Sequence, residues 1–176
     1  MEKQWFTISV YAENHVGLLH RIAGIFVKRH INIEGLNVSQ SEIEEVSKFT
    51  IVVHTTESWI TRIVSQLEKQ VEVIKAYYHT DEEIIYQESA LFKIASHLLF
   101  DERQIQNIIK ESHSQIVTVS REFFVLAKTG RRHEIDEMYH ALEPYGIMQF
   151  VRSGRIAVTK AEMQISAMLE KFHHST

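Results

Sequence analysis

The residues best suited to chemistry in this sequence lie in one short stretch, between Glu13 and Leu36. A polar loop containing Asn14 and Gly17 directly precedes an amphipathic segment, and Asn32 begins the extended segment that follows. A helix that begins after such a loop leaves its first backbone N–H groups without partners, and these groups together with the helix dipole favour a bound anion. The stretch therefore indicates a site for a small carboxylate, such as that of an amino acid.

Each of these residues also has an ordinary structural explanation. Asn14 and Gly17 suit an Asx turn and a helix start, and Asn32 suits the turn after a helix. The amide of Asn32 can both donate and accept hydrogen bonds, as a zwitterionic amino acid would require. The functional interpretation needs all three residues together, and we expect one fold to bring the loop and the start of the strand to the same edge.

The second half of the chain holds a group of arginines that could bind phosphate or an acidic partner surface. They are Arg131, Arg132, Arg152 and Arg155. Charges of this kind more often form a solvated face, and that is the interpretation we favour from the sequence.

Four possible metal ligands share one side of a predicted helix, because they follow the spacing i, i+3, i+4 and i+7. They are His133, Asp136, Glu137 and His140. The spacing is not that of H-E-x-x-H, and charged helix faces commonly look like this. We therefore predict a solvent-exposed helix face and no metal site.

The sequence contains none of the common catalytic motifs. It lacks G-x-x-x-x-G-K-[ST], G-x-G-x-x-G and G-x-S-x-G, and the spacing of its Ser, His and carboxylate residues does not indicate a triad. The absence of cysteine excludes disulfides, thiolate metal ligands and cysteine nucleophiles. We predict that the chain has no catalytic residues and is not an enzyme on its own.

The composition is typical of a soluble globular protein, with 44% apolar and 24% charged residues among 176. That length can form one ordinary domain or two small ones. The net charge of −4 argues against a general nucleic-acid binder. The first residues hold no long apolar core, and no window approaches the ~18 apolar residues of a membrane span. We expect a cytoplasmic protein that binds neither nucleic acid nor membrane.

Two copies of a β-α-β-β-α-β pattern follow from the apolar periodicity. In the first half, alternation predicts strands at 5–12, 33–40, 46–54 and 71–79, and helical spacing predicts helices beginning at Leu18 and covering 57–70. In the second half, strands are predicted at 90–95, 115–120, 122–127 and 147–151, with helices at 101–111, capped by Asp101, and 131–143. A further strand at 155–159 and a last helix at 160–172 follow.

The predicted fold is therefore α+β, with two tandem ferredoxin-like βαββαβ sandwiches. The predicted boundaries are a first domain at 4–80, a charged linker at 81–88 and a second domain at 89–176. Open sheet edges in domains of this size favour pairing with another copy of the chain.

The stretch from Glu13 to Leu36 resembles the ACT domain of the regulatory (small) subunits of acetohydroxyacid synthase, also called acetolactate synthase. The family pattern is E-N-x-x-G-x-L-x-R-[IV]-x-G-[IL]-F-x-[QK]-R-x-x-N-I-E-x-L. The matching residues are Glu13, Asn14, Gly17, Leu19, Arg21, Ile22, Gly24, Ile25, Phe26, Lys28, Arg29, Asn32, Ile33, Glu34 and Leu36. Looser similarity to the C-terminal domain of that family covers 92–94, 115–119 and 152–154.

The resemblance implies a noncatalytic homodimer, paired through its ACT domains, that binds and activates a large catalytic subunit. It also implies feedback inhibition by a branched-chain amino acid, usually valine, in the biosynthesis of valine, leucine and isoleucine. Thiamine diphosphate, Mg²⁺ and FAD would belong to the catalytic subunit, and this chain would carry no cofactor. In the family the effector lies where two ACT domains meet, with the loop of one domain and the strand start of the other.

The predicted effector-binding residues are Asn14, His15, Val16, Gly17, Leu18, Leu19, Asn32 and Ile33. His15-Val16 and His30-Ile31 depart from the residues usual in the family and border the predicted site, which leaves the identity of the effector open. The alternative is a stand-alone tandem-ACT amino-acid sensor that controls transcription, for which the two similar halves and the arginine group argue.

Overall fold

The structure, a computed structural model, describes residues 2–173. Its first half contains β1 (Gln4–Glu13), α1 (Leu18–Val27), β2 (Gly35–Gln40), β3 (Val46–Thr55), α2 (Glu57–Leu67) and β4 (Val73–Thr80). Its second half contains β5 (Ile84–Ala95), α3 (His97–Asp101), α4 (Arg103–Glu111), β6 (Gln115–Val119), β7 (Phe123–Gly130), α5 (Arg132–Leu142), β8 (Gln149–Arg152), β9 (Ile156–Thr159) and α6 (Ile165–His173). Within the described residues the chain forms two compact units, one of residues 2–85 with 155–173 and the other of residues 86–154.

The first unit is built on an antiparallel sheet in the order β2-β3-β1-β4. Alternate residues of β1 lie in the core because successive side chains of a strand point to opposite faces of the sheet. Phe6, Ile8 and Val10 are fully buried, together with Ile22 of α1 and Ile60 of α2. The predicted βαββαβ order of this half is confirmed.

The second unit repeats the same topology, with strands in the order β6-β7-β5-β8. The core of the second unit contains Phe92 and Phe124 of the sheet with Ile105 of α4 and Ile135 of α5. The chain is thus an α+β protein with two ferredoxin-like sandwiches, as the sequence predicts.

The outer face of the first sheet, opposite its helices, is buried although it is polar. Thr7, Ser9 and Thr50 lie on this face and are no more than 6% exposed. The segment from Arg155 onward contributes to this burial: the Arg155 guanidinium donates to Thr7 Oγ1 at 3.0 Å and to Asp81 Oδ1 at 2.7 Å. The last strand and helix therefore belong with the first unit, which corrects the predicted second domain at 89–176.

Local boundaries also differ from the sequence predictions. The linker expected at 81–88 is short, because β5 begins at Ile84 and runs through the charged stretch with alternate residues buried. Asp101 ends α3 instead of capping the next helix, and Glu102, in an extended conformation, precedes α4. The last helix begins at Ile165 rather than near 160. None of the helices within residues 2–173 combines the length and the apolar composition that a membrane span requires.

Candidate functional site

Gly17 joins the loop to α1 in a left-handed backbone conformation, with φ of 84° and ψ of −4°. A residue with a Cβ is strained there, whereas glycine is not. A Cβ added at Gly17 would meet only the Arg21 Nη1 atom, at 3.7 Å, so backbone conformation and not crowding selects glycine. Arg21 itself pairs with Glu72.

Several backbone N–H groups at this helix start are available to a ligand. Leu18 N donates to His15 O and Arg21 N donates to Gly17 O, each at 3.2 Å. In the part of the chain that the structure describes, four N–H groups of the loop and first helical turn have no acceptor. They are those of Val16, Gly17, Leu19 and His20. Together with the positive end of the helix dipole, they can bind a carboxylate.

The loop is held in place by its backbone. Glu13 N donates to Glu72 O at 2.9 Å, and Asn14 N donates to Glu45 O at 2.7 Å. His15 Nε2 lies 3.1 Å from Glu13 Oε2. The Asn14 side chain is exposed and makes no hydrogen bond to any other described residue, so its amide is available to a ligand.

Asn32 does not lie near this loop within one chain. Residues 14–17 precede α1 and Asn32 follows it, and a helix of ten residues is about 15 Å long. The hydrogen bonds at the two ends of β2 agree with this separation. Asn14 N donates to Glu45 O, which lies beyond the last residue of β2, whereas Glu34 N, just before the first residue of β2, donates to Val52 O. The expectation that one fold brings the loop and Asn32 to the same edge is wrong, because α1 runs along the sheet and separates them.

The other predicted residues divide between solvent and core. Val16 is fully exposed and Leu19 is 46% exposed. Leu18 is 2% exposed within the core, so its side chain cannot contact a ligand there, and Ile33 is half-buried against the same core. The Asn32 amide donates to Glu34 Oε1 at 2.9 Å, which leaves its own oxygen as an acceptor.

β2 forms an open, partly apolar edge of the first sheet; open edges were expected from the sequence, but not at which strand. In the described sheet β2 pairs with β3 alone. Leu36 and Val38 are 36% and 44% exposed and share the helix-side face, since they pair with the buried Ile51 and Phe49. The alternation of Leu36 and Val38 with polar residues could have indicated an apolar face on β2, although not that β2 is an edge strand.

Three of the four arginines predicted as a group make structural contacts, while Arg132 is exposed. Arg152 pairs with Asp136 and lies 3.9 Å from Glu88, while Arg131 stacks over the ring of Tyr86. Arg155 is buried in the first unit and is no part of a solvated arginine group. The described residues contain no group of three or more His, Asp or Glu side chains that could hold a metal ion.

Comparisons with known proteins match both units. Residues 8–75 match a family model described as an AHAS small subunit-like ACT domain, and residues 87–161 match one described as the small subunit of acetolactate synthase. The chain is 35% identical over 158 residues to the acetolactate synthase small subunit of Bacillus subtilis, covering 89% of this chain and 91% of that one. It is 32% identical over 155 residues to a probable small subunit from Archaeoglobus fulgidus, covering 88% and 96%. The crystal structure of the small subunit from Thermotoga maritima superposes with a TM-score of 0.81 at 25% identity, covering 91% of this chain and 99% of that one.

Proposed function

Because the chain belongs to the family of acetolactate synthase small subunits, we propose that it is a noncatalytic regulatory subunit through which a branched-chain amino acid inhibits a catalytic partner. The observation that carries this proposal is the helix start after Gly17, where four N–H groups without acceptors lie open to solvent. A sensor that controls transcription is the weaker alternative, since both units match small-subunit models.

The chemistry of the loop favours an amino acid with an apolar side chain. The N–H groups suit its carboxylate, while amide oxygens such as those of Asn14 and Asn32 suit its ammonium group. The exposed side chains of Val16 and Leu19 offer apolar contact to a branched side chain. Valine is the effector we propose first.

A complete site in this proposal needs two copies of the chain. A two-fold axis that pairs two β2 edges antiparallel would place the beginning of one β2 beside the end of the other. Asn32 of the second copy would then approach the 14–17 loop of the first. The same arrangement would cover Leu36 and Val38, which lie at the open edge.

The catalytic partner in this proposal is the large subunit of acetohydroxyacid synthase. Thiamine diphosphate, Mg²⁺ and FAD would bind there, and this chain would contribute activation and feedback control. Both subunits would act in the cytoplasm, in the biosynthesis of branched-chain amino acids.

Titration of valine, leucine and isoleucine into the purified chain tests the proposal by calorimetry. We expect saturable heat with at least one of them, valine first. Addition of the chain to the catalytic subunit should raise the rate of acetolactate formation, and the amino acid that binds should lower it again. Absence of heat with all three, together with an unchanged rate on mixing, would contradict the proposal.

A further inference from the structure

A cavity of about 680 Å³ lies between the outer face of the first sheet and the segment 157–167 that covers it. This volume is within the range of about 300–1,000 Å³ that ligand pockets occupy. Three residues on neighbouring strands form a row on its floor: Ser39 of β2 pairs with Lys48 of β3, and Lys48 pairs with Tyr11 of β1. The cavity is on the face opposite α1, so it is separate from the start of that helix.

Lys48 brings a positive charge to this floor with few partners. Its ammonium donates to the Ala157 carbonyl at 3.1 Å and lies 5.5 Å from the centre of the Tyr11 ring. No carboxylate of the described residues lies within 4.0 Å of it, although an ammonium carries three donors. Burial lowers the pKa of Lys48, and the Glu42 carboxylate on the same cavity offsets only part of this effect. A ligand carboxylate would satisfy the remaining donors.

Glu42 brings the opposite charge to the rim of the cavity. It follows β2, and its Oε1 accepts a hydrogen bond from the Ser166 hydroxyl in the first turn of α6. That bond lowers the pKa of Glu42, so its carboxylate remains ionised at neutral pH. A carboxylate can accept more than one hydrogen bond, which leaves room for a ligand ammonium group.

We propose that this cavity is a second small-molecule site, which takes an α-amino acid with an apolar side chain. The amino acid's carboxylate would contact Lys48, its ammonium would contact Glu42, and its side chain would pack against Val158, Met163 and Ile165 on the cavity wall. The occupied site would hold the C-terminal segment against the sheet. The proposal depends on contacts separate from those of the loop and does not require the proposed function to be correct.

The methionine methyl groups allow a direct test by NMR of the full chain. The sequence has five methionines, of which Met163 lines the cavity and Met138 lies in the core of the second unit. With methyl-labelled methionine, leucine should shift the Met163 resonance saturably and leave Met138 unchanged. Two probes of the same shape that carry only one charge, 4-methylpentanoate and 3-methylbutylamine, should bind at least tenfold more weakly.

Charge-neutral variants identify the groups responsible. Lys48→Gln and Glu42→Gln should each weaken the Met163 response at least tenfold, since each removes one charge and introduces a neutral amide that can still form hydrogen bonds. Lys75→Gln is the matched control. Lys75 lies on β4, where it pairs with Tyr11 of β1, but it does not line the cavity, so this substitution should leave the Met163 response unchanged.

The result has separate consequences for the two sites. A Met163 resonance that does not move with leucine, or that moves equally with the singly charged probes, would overturn the cavity proposal. So would an unaltered response in Lys48→Gln. A Met163 shift that persists in Gly17→Asp supports a site independent of the loop, and its loss in that variant would contradict that independence.

Discussion

Gly17→Asp is expected to abolish feedback inhibition while the activation of the catalytic subunit persists. The new carboxylate would lie beside the N–H groups that the effector's carboxylate needs, and Arg21 Nη1, 3.7 Å from the added Cβ, would help to hold it there. Losing two charge-assisted hydrogen bonds at about 1.5–3 kcal/mol each weakens binding by at least about a hundredfold. Inhibition curves with valine against the reconstituted enzyme measure the change.

Gly17→Asn is the matched control, because asparagine has the same shape and the same strain at positive φ but no charge. Both variants should lose similar stability, about 1 kcal/mol for a side chain at this backbone conformation. Gly17→Asn should retain most of the inhibition. If the Asp variant keeps normal inhibition, or if the Asn variant loses as much as the Asp variant, the carboxylate is not bound at this helix start.

Val38→Lys is expected to dissociate the proposed dimer and remove effector binding with it. The exposed edge strand would place this valine in the interface. Val38 is 44% exposed, so burying the rest of it stabilises by roughly 0.7–1.3 kcal/mol, a little under half of the value for a whole valine side chain. A two-fold interface contains the substitution twice, so the dissociation constant should rise by at least about tenfold. Sedimentation velocity over a concentration series measures the dimer, and calorimetry measures the effector.

Val117→Lys provides the comparison, since Val117 is an exposed valine in β6, the edge strand of the second sheet. It makes the same change in charge and size and should leave both the dimer and effector binding intact. Dissociation by Val117→Lys but not by Val38→Lys would place the interface on the second unit and remove the basis for a shared site.

Local features of the site were predictable from the sequence. A loop of Asn14 to Gly17 before an apolar helix predicts unpartnered N–H groups, because the first turn of any helix leaves them. A glycine at position 17 is also consistent with a tight turn into the helix, because glycine adopts positive φ without strain. The position of Asn32 was not predictable in this way, because it depends on the direction in which α1 runs across the sheet.

Long-range features were predictable only in part. Apolar alternation in Phe6, Ile8 and Val10 gave the buried face of the first sheet correctly. The burial of Arg155 against Thr7 and Asp81 had no periodic signal, because ion pairs between distant segments leave no pattern in local sequence. For this reason the sequence-based boundary at 89–176 is wrong for the last strand and helix, which belong with the first unit.

The most direct test of a site shared between two copies combines two inactive variants. Gly17→Asp alters the loop, and Asn32→Ala alters the strand start, where the side chain is exposed and bonds only to Glu34 among the described residues. Each variant alone should fail to bind valine. A mixed dimer, isolated through two different affinity tags, holds one loop and one Asn32 that are both intact.

If the two belong to one site across the dimer, the mixed dimer should bind valine with nearly normal affinity at half the normal stoichiometry. If each site lies within a single chain, both sites of the mixed dimer remain damaged, and calorimetry should detect no binding. That second result would contradict the shared site.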